Sequence, residues 1–148
     1  METIAVFIND AAHARHILQP MLAGGQPTRW VLVACPPVFT RHIGRFVSNR
    51  AREQWRNRWA LDVFAQLEPE LKAAGHAVDK LVAKRPLVNE SARLAARLPV
   101  VRLLDARRPR VGKIDEPITT AQPADLGSPW AAPLAITTGL SAVLALAD

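Results

Sequence analysis

The chain opens with Thr3-Ile4-Ala5-Val6-Phe7-Ile8, a short and almost continuous apolar run of the kind that forms a strand covered on both faces. Asn9 and Asp10 follow at once, and either suits the cap of a helix over Ala11 to Ala23 that Gly24-Gly25 would close. A second run, Trp30 to Cys35, stops at Pro36-Pro37 and predicts a second buried strand. Strand, capped helix, glycine and strand make a βαβ unit, for which parallel strands and a right-handed crossover are the rule.

A long basic connection occupies 38–48. From Asn49 the spacing predicts a helix running to Gly75, with Trp59, Val63, Phe64, Leu67 and Leu71 as its apolar stripe and a kink at Pro69. Ala77 to Ala83 reads as a third strand, Asn89 to Leu98 as a third helix ended by Pro99, and Val100 to Leu104 as a fourth strand. Strands alternating with helices predict an α/β fold, an open and mostly parallel sheet of four or five strands with helices on both faces.

Beyond Asp105 the periodicity fades. Five of the 12 prolines fall between 109 and 133. The expected organisation is an α/β core over 1–108, a proline-rich irregular excursion over 109–129, and an apolar C-terminal segment over 130–148 that completes the same domain. Trp130 to Ala147 carries no charge. Its length approaches a membrane span, but Pro133, Thr137, Thr138, Gly139 and Ser141 dilute it and no base flanks it. A packed helix, or a helix and a strand, is the expectation, lying on the sheet, on a second subunit or as a lid.

At 148 residues and 49% hydrophobic the chain suits one core and is far too apolar for disorder. One cysteine, Cys35, excludes an internal disulfide and a cysteine-built metal site, and suits a reducing cytoplasm. The N-terminus shows no basic signal-peptide region, so a cytoplasmic location is expected. The net charge of +6 divides unevenly, +10 over residues 1–113 and −4 after them. Fifteen of the 19 bases are arginine, which fits a carboxylate or phosphate partner or simply a GC-rich coding sequence.

The order and spacing of elements over 3–108, with the opening Ile4-Ala5-Val6-Phe7-Ile8-Asn9-Asp10-Ala11, resemble the universal stress proteins. In that family a hydrophobic first strand ends in Asp-Gly-Ser and leads into a helix. The resemblance implies an α/β sandwich with an open sheet of four or five strands, a stress-response role, a homodimer and, in ATP-binding members, ATP or AMP as ligand. This sequence departs from it at two points. Asn9 stands where the family carries Asp, with Asp10 beside it. The family's phosphate loop, Gly-x2-Gly-x9-Gly-Ser/Thr, corresponds to a stretch from Asp105 to Lys113 with one glycine, Gly112, and Gly127-Ser128 could stand for its close. Backbone amides cradle phosphate only where the chain can approach closely. No cofactor is therefore expected, and the resemblance implies a binding or regulatory protein rather than an enzyme.

Open α/β sheets bind ligands beyond the carboxyl ends of their strands, where the strand order reverses. In the family's order that point lies between strands one and four. It would set Asn9 and Asp10 opposite Arg107, Arg108, Arg110 and Lys113, a cleft for a small anion or a nucleotide held by cations. The competing expectation is that Asp10 caps its helix and that the arginines are solvated or pair with Asp115 and Glu116.

Arg41, Arg45, Arg50, Arg52, Arg56 and Arg58 surround Phe46, Trp55 and Trp59, and helical spacing points Arg52, Trp55, Arg56 and Trp59 one way, in line with Val63 and Leu67. An arginine pair in line with the core stripe suggests that the first turns overhang the sheet edge, where the 41–58 face could meet a second subunit, RNA or an acidic protein. No RNP, KH or helix-turn-helix pattern accompanies it, which ranks nucleic acid behind a subunit contact. His13 and His16 lack a convergent acid and read as a surface pair rather than a metal site. Cys35 reads as a buried structural thiol. No Ser-His-Asp elbow, Walker loop or dinucleotide fingerprint occurs, and with no tyrosine any phenol-dependent mechanism is excluded.

Overall fold

A computed structural model describes residues 1–22, 26–38, 44–84, 86–98, 100–109, 116–119 and 130–131. Five strands, β1 (Glu2–Ile8), β2 (Thr28–Ala34), β3 (Ala77–Val82), β4 (Arg102–Asp105) and β5 (Trp130–Ala131), form one sheet in the order β3-β2-β1-β4-β5. The first four are parallel, and the short β5 runs antiparallel to β4. Three helices, α1 (Ala11–Leu22), α2 (Asn49–Ala73) and α3 (Leu87–Arg97), make the connections. The open parallel sheet expected from the sequence is present.

β1 lies at the centre and is buried from Ile4 to Ile8, as its unbroken apolar run requires. Its alternate side chains feed two cores. Ile4, Val6 and Ile8 join Trp30, Leu32 and Leu104 beneath α1 and α2. Ala5 and Phe7 join Val31, Val33 and Leu103 beneath α3. Right-handed crossovers explain this division: the chain steps outward from β1 to β3 over one face, then returns to β4 over the other. That reversal puts the switch point between β1 and β4.

α1 begins at Ala11 and runs through Pro20 to Leu22; Ala23 and the expected glycine close lie outside the described residues. Arg15 ties it to α2 through an ion pair with Glu70 at 2.9 Å. α2 begins at Asn49 and continues through Pro69 to Ala73. Its cap is Ser48, whose hydroxyl accepts the Ala51 N–H at 3.1 Å. Gly75, at φ 88°, closes it in a left-handed conformation that other residues adopt only with strain. The next residue, His76, is buried, and its Nδ1 accepts the Thr28 N–H at 3.0 Å, joining the α2–β3 turn to the start of β2. The His76 ring also meets the Trp30 ring edge to face, 6.0 Å between centroids.

α3 starts two residues earlier than Asn89. The reason is distant in sequence: the Glu116 carboxylate accepts the Leu87 N–H at 3.0 Å and supplies a cap that Pro86 cannot. β4 likewise begins at Arg102 rather than Val100 and extends to Asp105. Of the proline-rich excursion, Pro109 and residues 116–119 are described, and they lie outside helix and strand. Of the charge-free segment only Trp130–Ala131 is described, as β5; the rest of that expectation lies outside the described residues.

Candidate functional site

The carboxyl ends of the central strands are drawn together by main-chain bonds. Ala106 N–H donates to Phe7 C=O at 3.0 Å, and Cys35 N–H donates to Ile8 C=O at 2.7 Å. This places Asn9 directly across from Arg108. The Asn9 amide clasps the Arg108 backbone from both sides, Oδ1 accepting its N–H at 2.6 Å and Nδ2 donating to its C=O at 3.2 Å. Asp10 decides the capping question: its Oδ1 accepts the His13 N–H at 3.0 Å at the start of α1. Its other oxygen lies 3.6 Å from the Arg108 guanidinium. The His13 N–H, aided by the Arg108 charge, holds the Asp10 carboxyl below the usual carboxylate range against the opposing effect of desolvation.

Arg107 turns inward. Its guanidinium grips Asp105 with both prongs, Nε to Oδ1 and Nη2 to Oδ2, each at 2.9 Å. Both side chains are largely buried, at 6% and 14% exposure. The structure thus brings Asn9, Asp10, Arg107 and Arg108 to one place, the switch point. Arg110, Lys113, Asp115, Gly127 and Ser128 lie outside the described residues. What is assembled is a polar junction whose members answer one another: the helix N-terminus holds an acid of its own, and Asp105 balances Arg107. Among the described residues, an arriving phosphate meets two carboxylates there and one exposed cation, Arg108.

The second expected site behaves differently. α2 spans 25 residues, about 37 Å, whereas a seven-residue strand covers about 23 Å. Its buried residues begin only at Ala60 and continue through Val63, Phe64, Leu67 and Leu71. Trp59 is half-buried and packs on the core. The first turns stand clear of the sheet beyond its carboxyl end, as the sequence suggested. Trp55 and Arg56 are exposed, and Trp59, further along the same helix, is the first of the four to be covered by the sheet. Arg52 is half-buried and donates to the Gly44 carbonyl. Arg45 is exposed, and Arg41 lies outside the described residues.

Two features escaped the sequence. Glu90 is buried at the first turn of α3, where it accepts the Lys84 N–H at 3.3 Å and pairs with Arg93 at 2.8 Å. Beside it, the Ser91 hydroxyl donates to the Ile118 carbonyl and the Glu116 carboxylate accepts the Leu87 N–H, and these two bonds strap 116–118 to that helix. An acid just after Pro86 was the available signal; its partners were not. The other is an open groove of about 300 Å³ beside the C-terminal turns of α3, with Val31, Leu81, Leu94 and Leu98 as its apolar lining and Arg29, Asp79 and Arg97 among its charges. It lies near the amino ends of β2 and β3, away from the switch point.

Cys35 is buried, its thiol 3.7 Å from the Val33 carbonyl. Among the described residues no group of three or more His, Cys, Asp or Glu converges as metal ligands, and no helix is long and apolar enough to cross a membrane. Fold and junction together define an α/β domain with an open parallel sheet and an internally paired switch point. No family model, curated protein or solved structure matches the chain.

Proposed function

We propose that this protein is a small binding or regulatory protein of the universal-stress-protein type that works without bound ATP. The observation that supports this reading is the Asn9–Arg108 clasp beside the Asp10 cap. The groups that would greet a nucleotide phosphate at the switch point are engaged with one another, and Pro109, next in the chain, has no amide to offer. In this reading the protein is a homodimer that acts by association and performs no turnover.

Thermal unfolding with ATP, ADP, AMP, cyclic nucleotides and inorganic phosphate tests the reading. A ligand present at a hundred times its Kd adds about 2.7 kcal/mol of stability. No nucleotide should raise the melting temperature, and light scattering should return the mass of a dimer. A second reading, a nucleotide site rebuilt on arginine, draws on Arg108, whose guanidinium is 70% exposed beside its loose Asp10 partner. A shift with ATP that inorganic phosphate does not reproduce would establish that reading and overturn the first.

A further inference from the structure

The overhanging turns of α2 concentrate positive charge that the acids among the described residues leave unbalanced. From Arg45 to Arg58 there are five arginines and one acid, Glu53. Arg45, Arg50, Arg56 and Arg58 are all exposed, and among the described residues none has an ion-pair partner. The start of a helix carries the positive end of its dipole and ordinarily attracts acids to the first turn. Here the first turn has none, and Arg50 stands in it. Repulsion among these charges and the dipole is left standing beyond the carboxyl end of the sheet.

The positions of the charges indicate what relieves it. Arg50 and Arg58 lie on one side of the helix, Arg52 and Arg56 on the other, with Trp55 beside the second pair. A helix lying on a membrane keeps one face apolar; these turns have no such face. A flexible polyanion can follow charges around a helix. Arginine is also the base best suited to it, because its planar fork binds phosphate with two prongs and stacks on aromatic faces. Aromatic surface is at hand: Phe46 is 81% exposed and Trp55 37%. Cations interleaved with aromatic rings, without base-reading motifs, are the means by which proteins hold single strands irrespective of sequence.

We infer that residues 45–58 form a docking arm for single-stranded nucleic acid, held by phosphate contacts to Arg45, Arg50, Arg56 and Arg58 and by base stacking on Phe46 and Trp55. This goes beyond the reading of the switch point and does not depend on it. The test is fluorescence anisotropy of the full chain with a labelled single-stranded oligonucleotide of mixed sequence, titrated across a range of salt concentrations. Binding should weaken steeply with salt. The quadruple variant R45Q/R50Q/R56Q/R58Q should flatten the log–log salt slope by about 3 and lose at least about tenfold in affinity at low salt. Because these side chains are exposed and repel one another, its melting temperature should be no lower than that of the parent, which separates lost binding from lost folding. Phe46→Ala with Trp55→Ala should weaken the single strand more than a duplex of the same length. Absence of binding at low salt, unchanged binding by the quadruple variant, or binding to anionic phospholipid vesicles in place of the oligonucleotide would each overturn the inference.

Discussion

Two arginine-rich regions stand at the carboxyl end of this sheet, and they treat charge in opposite ways. At the switch point Arg107 is buried against Asp105, and Arg108 is held by Asn9 and faced by Asp10. On the arm, Arg45, Arg50, Arg56 and Arg58 are exposed and without an ion-pair partner among the described residues. Removing a guanidinium from water is costly, so it occurs where the partner is fixed and bidentate. A guanidinium left in water costs little and remains available. The contrast assigns structural work to the first region and external contacts to the second.

The sharpest way to break this contrast is to remove Asp105. Asp105→Ala strands the buried Arg107 guanidinium without its bidentate partner and should cost about 3 kcal/mol in urea unfolding. A loss no larger than that of an arm variant would erase the distinction. Next comes Asn9→Ala, which removes both hydrogen bonds to the Arg108 backbone and should cost about 1–2 kcal/mol.

Asp10 contributes a dependence on pH. Its carboxyl is held below its usual value when folded, so its stabilisation is complete above the unfolded Asp range and is lost as the pH falls below that range and through the lowered folded value. Unfolding midpoints measured between about pH 5 and pH 3 should decline less steeply in Asp10→Asn, because Asn caps as well as Asp but does not titrate. The smallest effect belongs to the arm and has the opposite sign. Arg50→Glu places an acid in the first turn of α2 and should raise stability by about 0.5 kcal/mol. A loss of stability there would mean that Arg50 has structural work after all.

The backbone of the fold was legible because β1 and β2 are apolar almost throughout, and because Gly75 and the prolines punctuate the chain. α2 begins at the residue its spacing indicated, Asn49. The carboxyl-end meeting of Asn9 and Asp10 with Arg108 was also legible, since the strand order alone brings 9 and 108 together. How they meet was not: whether Asn9 turns to a ligand or to the Arg108 backbone depends on a bond spanning 99 residues. The start of α3 was misplaced for the same reason, its cap being supplied from Glu116, 29 residues away. Local periodicity carries no information about such pairs. That the arm projects was legible, because Arg52 and Arg56 continue the line of the core stripe where a covered helix would carry apolar residues; how far it projects follows from the short strands beneath it.

The edge-to-face contact of His76 with Trp30 has a spectroscopic consequence. Because His76 Nδ1 accepts the Thr28 N–H, the neutral ring must carry its proton on Nε2, so one tautomer is selected. Its neighbour's ring current acts across 6.0 Å. In a histidine-selective proton–nitrogen spectrum, one of the four imidazoles should therefore stand apart, with a single-tautomer nitrogen pattern. Loss of that signature would report the opening of the α2–β3 turn, residue by residue, without a label.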